Sequence, residues 1–168
     1  MKEYKIQLIP LKLNHLSTLA KWRNKDRIKN TMFNDNKITL FTTIMWHISN
    51  IRNANSQYFI IQDVDDNNLI GLIGLTNINF YNKTSELDIY IGEDNYLHKG
   101  LASDAFLQLK DYAKINLGLN RIKAYLFANN TIAFRFYNKL GFRVEGTLRN
   151  EILKNSEFKD IQIMAYKL

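Results

Sequence analysis

The sequence predicts an α/β fold built on one mixed, mostly antiparallel sheet of about seven strands flanked by about four helices. Three observations lead there. Stretches with a period of two alternate along the chain with stretches of helical period. Early and late strands follow one another in hairpin fashion, joined by turn chemistry at Asp65-Asp66-Asn67-Asn68 and Lys154-Asn155-Ser156-Glu157. Between them, the strand, helix, strand, helix succession from Glu86 to Leu140 calls for crossover connections.

In chain order, Tyr4 to Ile9 reads as a strand that stops at Pro10, the single proline. Leu13, Leu16, Leu19, Ala20 and Trp22 then recur at helical spacing. A second helix follows Thr39, whose hydroxyl suits an N-cap, and runs to about Asn53. Tyr58 to Val64 is rich in β-branched and aromatic residues, and Leu69 to Phe80 resumes as a strand. Glu86 to Ile91 alternates, with Leu87, Ile89 and Ile91 on one face and Glu86, Asp88 and Tyr90 on the other. Leu101, Ala102, Ala105, Phe106, Leu109, Tyr112 and Ala113 make the apolar stripe of a helix. Arg121 to Phe127 is a strand, Asn130 to Leu140 a helix, and Phe142–Leu153 with Phe158–Leu168 the closing hairpin.

A length of 168 residues suits one domain, residues 1–168, with a core of several strands and helices. The hydrophobic content of 46% and aromatic content of 12% exclude a disordered chain. The absence of cysteine excludes disulfides, a thiol nucleophile and cysteine-ligated metal. His15, His47 and His98 are not spaced as metal ligands, so no metal site is expected. No signal-peptide core and no apolar run near ~18 residues is present, which predicts no membrane partner and a soluble, cytoplasmic protein.

The net charge of +7 suits either nucleic acid or an anionic small molecule such as a nucleotide-bearing cofactor. The basic residues are scattered, and the densest run, Lys21 to Lys29, also contains Trp22 and Asp26 and fits a helix end. No interleaving of aromatic and basic residues marks a nucleic-acid surface, so no nucleic-acid partner is expected. Charge alone does not decide the function.

Two short segments carry chemistry. At Leu97-His98-Lys99-Gly100-Leu101-Ala102 a strand gives way to a helix, whose free N–H groups and dipole form an anion site. Gly100 and Ala102 lack bulk, and His98 and Lys99 add donors; the same pattern also opens many ordinary helices. At Asn130-Thr131-Ile132-Ala133-Phe134-Arg135-Phe136-Tyr137-Asn138-Lys139-Leu140-Gly141-Phe142, one helix face carries Asn130, Ala133 and Tyr137. Tyr137 is either a proton donor or a core residue with its hydroxyl at the rim. Asn130 serves as an N-cap or a ligand contact, and Gly141 as a left-handed C-terminal cap.

Taken in order, the glycine turn and the Asn/Ala/Tyr/Gly-Phe helix resemble the GNAT superfamily of N-acetyltransferases over nearly the whole chain. Gly100-x-Ala102 matches that family's glycine turn, with Leu97 where the family has glutamine or arginine. The resemblance implies an acetyl-coenzyme A (acetyl-CoA) site formed by Ile89, Tyr90, Ile91, His98, Lys99, Gly100, Leu101, Ala102, Asn130, Ala133, Phe134 and Tyr137. It makes Tyr137 the acid that protonates the departing thiolate. The tail, Phe142-Arg143-Val144-Glu145-Gly146-Thr147-Leu148-Arg149 with Phe158-Lys159-Asp160 and Met164, is similar to the RimJ/RimL-type branch. Trp22-Arg23-Asn24, with Ile28, Met32, Ile38 and Trp46, further resembles the PseH-like acetyltransferases of nucleotide-linked amino sugars.

The expected reaction is direct acetyl transfer to a small-molecule primary amine, an amino-sugar nucleotide first, with a protein N-terminus or a polyamine as alternatives. A non-catalytic coenzyme-binding or basic nucleic-acid-binding domain stands as the non-enzyme alternative. Glu86 is the candidate base, or else an exposed strand residue paired with a lysine. The acceptor pocket draws on Trp22, Arg23, Asn24, Trp46, Glu86 and Tyr90, where the two tryptophans otherwise pack helices together. An acidic pocket favours a polyamine. The oligomeric state stays open, a homodimer included.

Overall fold

The structure, a computed structural model, describes residues 5–34, 36–52 and 55–168. Seven strands form one sheet: β1 (Ile6–Pro10), β2 (Gln57–Asp63), β3 (Leu69–Asn79), β4 (Thr84–Ile91), β5 (Arg121–Phe127), β6 (Arg143–Lys154) and β7 (Glu157–Lys167). Five helices accompany them: α1 (Leu16–Arg23), α2 (Asp26–Lys29), α3 (Leu40–Arg52), α4 (Leu101–Ile115) and α5 (Thr131–Leu140). The expected α/β architecture is therefore present, with one helix more than the periodicity showed. The missed helix, α2, has four residues, too few for an apolar stripe to register. The expected first residue of β1, Tyr4, and the expected end of α3, Asn53, lie outside the described residues.

The sheet order is β1-β2-β3-β4-β5-β7-β6, and every neighbouring pair is antiparallel except β4 with β5. Alternation along the strands divides the core between the two faces. Phe59, Ile61, Ile73 and Leu75 pack beneath Leu101, Ala105, Phe106 and Leu109 of α4, together with Tyr137 of α5. On the other face Ile60 and Leu72 meet Leu16, Leu19 and Trp22 of α1 and Ile28 of α2. Each fully buried Leu or Ile contributes on the order of 1.5–3 kcal/mol, so both layers are held by apolar burial. The closing turn is tighter than its four-residue signature, because β6 runs to Lys154 and β7 starts at Glu157. Asn155 and Ser156 alone make the bend, both at positive φ, as a two-residue hairpin turn requires.

One irregularity matters for function. The parallel pairing of β4 and β5 covers only Thr84 with Arg121, Ser85 with Ile122 and Glu86 with Lys123. Beyond Glu86 the strands part: Leu87 to Ile91 pair with β3 alone, and Ala124 to Phe127 with β7 alone. A wedge thus opens in the middle of the sheet, with a main-chain edge on each side that no strand pairs.

Candidate active site

Three elements converge on this wedge. From β4 the chain passes through a short 3-10 turn (Asp94–Tyr96) into the glycine turn ahead of α4. His98 and Gly100 both adopt positive φ, +60° and +79°, which curls the backbone around the helix start. A Cβ on Gly100 would meet nothing within 4 Å, so a left-handed backbone, and not crowding, selects glycine there. The first intrahelical bonds run from the Ser103 and Asp104 amides to the Gly100 carbonyl, leaving the Leu101 and Ala102 amides ahead of the ladder. His98, Lys99 and Gly100 are exposed, Ala102 is half-buried, and the Leu101 side chain is spent in the core.

Helix α5 supplies the second element. Asn130 is its N-cap, accepting a hydrogen bond at Oδ1 from the Ala133 amide (3.0 Å), and Gly141 ends it in the left-handed conformation. Both capping readings hold, so Asn130 has one oxygen committed to the helix. Ala133 and Phe134 pack partly against the core. Tyr137 is buried, its ring 5.2 Å from both Phe136 and Phe142. Burial, with a smaller contribution from the charge of Asp88, pushes its phenol well above 10. The phenol therefore carries its proton at any physiological pH.

The third element is a cleft of about 320 Å³ beside the wedge. It is lined by Glu86, Leu87 and Asp88 of β4, Tyr125 of β5, Leu148, Glu151 and Ile152 of β6, Ile161 of β7, and Phe33. Three carboxylates line it and no lysine or arginine does, although the chain as a whole carries +7.

The two β4 carboxylates differ. Both oxygens of Glu86 are engaged: Lys123 Nζ reaches Oε1 at 3.2 Å and Asn77 Nδ2 donates to Oε2 at 2.8 Å. Lys123, disfavoured by burial but held by Glu86 and Tyr125, ends above the ordinary lysine value. Asp88 accepts the Tyr58 hydroxyl at Oδ2 (2.9 Å) and is one of the residues that line the cleft. Its surface is wet, yet surrounding protein crowds it. Burial raises its carboxyl above the usual range, only partly offset by the Tyr58 hydrogen bond and the nearby Arg23 guanidinium. Tyr58, Arg23 and Tyr90 cluster around this carboxylate. The Arg23 Nε and the Tyr90 hydroxyl are buried without a hydrogen-bond partner, and burial drives the Tyr90 phenol upward as well.

Several expected acceptor contacts prove to be scaffold. Trp22 is 1% exposed, with its Nε1 donating to Glu93 Oε1 at 2.6 Å. A Cβ on Gly92 would lie 2.0 Å from the indole, so glycine is what admits the ring to the core. Nothing of Trp22 remains for an acceptor to touch. Asn24 donates to the Ala20 and Ile38 carbonyls and accepts from the Ile38 amide, clasping α1 to the segment before α3. Trp46 lies half-buried against Tyr58 (4.8 Å between ring centres), so it supports the cleft through Tyr58. Of the other expected acceptor contacts, Glu86 lines the cleft, while Arg23 and Tyr90 lie near Asp88 and are not among the lining residues. Asp88 was legible as a neighbour of Glu86 on one strand face, whereas Phe33, Tyr58 and Glu151 carried no signal in the sequence.

Among the described residues no cluster of His, Asp and Glu is arranged to hold a metal ion, and no helix is long and apolar enough to cross a membrane. Comparison with known proteins adds the family. The acetyltransferase (GNAT) domain family matches residues 5–143. The spermidine N(1)-acetyltransferase of Vibrio cholerae is 31% identical over 106 residues, 63% of this chain and 60% of that protein. The chain thus spans less than two thirds of that relative's length. Acetyltransferase PseH of Campylobacter jejuni is 28% identical over 135 residues, 80% of each chain. Among solved structures, spermidine N-acetyltransferase from Vibrio cholerae in complex with CoA and spermine superposes with a TM-score of 0.89. That match covers 97% of this chain and 95% of the other at 24% identity, a likeness of fold.

Proposed function

Because the chain belongs to the GNAT acetyltransferase family, we propose that it transfers an acetyl group from acetyl-CoA directly to a primary amine of a cationic aliphatic molecule of the polyamine class. The observation that carries this is the cleft with three carboxylates opening beside the wedge between β4 and β5. Ammonium groups joined by methylenes match carboxylates interspersed with Phe33, Leu148 and Ile152, whereas a phosphate-bearing acceptor would face repulsion there. The similarity to spermidine acetyltransferases points the same way.

The residues present fit the coenzyme. The edge of β4 from Leu87 to Ile91, which no strand pairs on the wedge side, offers main-chain groups to an extended arm, apart from the Ile91 carbonyl, which accepts from Arg27. The Leu101 and Ala102 amides, at the positive end of α4, offer donors to a pyrophosphate, with His98 and Lys99 beside them. Bound acetyl-CoA supplies an activated thioester. The chain's own part is to bind, orient and move protons. Glu86, tied to Lys123, holds the incoming ammonium by charge. Asp88 Oδ1 takes the ammonium proton, a better base than an ordinary carboxylate because burial raises its value. This moves the base from Glu86, the residue expected from the sequence, to its neighbour two positions on. Tyr137 keeps its proton until the leaving group needs one, and β4 amides near Ile89 to Ile91 are oriented to steady developing negative charge.

Release of free coenzyme A is the test, measured with spermidine, an amino-sugar nucleotide and peptides with free N-termini. Turnover with spermidine is expected. Turnover with the amino-sugar nucleotide and none with polyamines would sink the proposal in favour of a second reading. That reading draws on the unpartnered Arg23 Nε and on the similarity to PseH across 80% of the chain. Turnover confined to peptides would instead favour the RimJ/RimL-type branch that the tail resembles, and coenzyme binding without any release a non-catalytic role.

A further inference from the structure

The β6–β7 hairpin ends on a lysine that the fold buries. Lys154 is 6% exposed, the one lysine or arginine in the buried class among the described residues. Its ammonium crosses to the opposite layer and donates to the carbonyls of Lys29 (3.0 Å) and Met32, at the end of α2 and in the turn that follows. Its Nζ lies 5.3 Å from the centre of the Phe127 ring. Helix C-terminal carbonyls and an aromatic face are what a buried ammonium requires in place of water.

The grip falls on a weak element. Helix α2 has four residues, and Ile28 is its one buried side chain, far short of a helix that holds itself. Phe33, just past the turn after α2, packs edge-on against Phe127 at 5.1 Å and lines the cleft together with Glu86 and Asp88. One lysine thus ties together the hairpin, the end of α2 and the ring beneath Phe33.

We propose that Lys154 is a positioning residue that clamps the end of α2 and so holds Phe33 in the wall of the acceptor cleft. The proposal rests on reading that cleft as the acceptor site. Lys154→Met keeps most of the stem and removes every donor; Lys154→Arg keeps donors for the two carbonyls. In amide hydrogen exchange, Lys154→Met should speed exchange in residues 28–34 by about tenfold or more while α4 and β5 keep wild-type protection, and Lys154→Arg should restore it. With spermidine as acceptor, the Met variant should raise the KM for spermidine about tenfold, leaving kcat and the KM for acetyl-CoA within about twofold. Wild-type protection over residues 28–34, or faster exchange spread evenly over the sheet, would overturn the clamp. Changed exchange with an unchanged spermidine KM would overturn its link to the cleft. A wild-type protein inactive on spermidine refutes the polyamine reading instead, and the exchange measurement then decides the clamp alone.

Discussion

Replacing Trp22 by alanine tests whether this residue is core or acceptor contact, and the structure sets the size of the effect. A buried tryptophan removes about 150–250 Å² from water, worth about 4–6 kcal/mol at 25 cal/mol per Å². Partial collapse of the site and burial already present in the unfolded chain reduce this to about 3–5 kcal/mol. The lost hydrogen bond to Glu93 adds little, since that side chain is 43% exposed and keeps Lys25 at 3.6 Å. For a chain of this size the melting temperature should fall by roughly 6–20 °C. Urea unfolding followed by far-ultraviolet circular dichroism should show a lower midpoint with an unchanged slope. Measured per folded molecule, the amine KM should stay within about twofold of wild type. Gly92→Ala should destabilise through the same ring by about 1–3 kcal/mol, since its new methyl would overlap the indole. A Trp22→Ala protein of near wild-type stability, with an amine KM raised tenfold, would refute the reasoning and return Trp22 to the acceptor site.

Tyr137→Phe keeps the ring against Phe136 and Phe142 and removes only the hydroxyl, the proton donor; turnover should fall on the order of 10²–10⁴-fold with coenzyme affinity unchanged in calorimetry, and wild-type turnover would mean the tyrosine only packs. Because burial raises Asp88 above the ordinary carboxylate value, the acidic limb of kcat/KM should lie above that value. Tyr58→Phe, which removes a hydrogen bond to the charged form, should move the limb further up; a limb that survives Asp88→Asn would exclude Asp88 as the base. His15 and His47 are both lowered from 6.5, by burial first and, for His15, by the charge of Lys12 as well. The His15 Nδ1 also accepts the Lys12 amide, which requires the neutral ring. As pH falls below 6.5 the unfolded chain takes up protons that the folded one resists, so the urea midpoint should drop between about pH 7 and pH 5. A His15→Gln, His47→Gln double variant that keeps the full wild-type pH slope would contradict this assignment.

How much was legible depends on whether the signal is local. Strand β5 falls on the residues its β-branched and aromatic run marked, and the alternation along β4 correctly sorted Leu87 from Glu86, Asp88 and Tyr90. The caps of α5, Asn130 and Gly141, were readable because a helix terminus is solved by residues within one turn of it. So was the glycine turn at Gly100. Helix α2 escaped because four residues hold no period, and the hairpin bend was drawn too wide because its two left-handed residues are neither glycine nor proline.

The sequence by itself determined the order of elements apart from α2, the sheet's two faces and the two segments that flank the wedge, since periodicity and capping act over a few residues. Only the tertiary structure decided which polar groups share a space. It buried Trp22, engaged both oxygens of Glu86, tied one oxygen of Asp88 to Tyr58, and brought Glu151 and Phe33 into the same cleft. Burial and charge pairing depend on what other strands and helices bring near, over separations as long as the 125 residues between Lys29 and Lys154. No window along the chain contains that information.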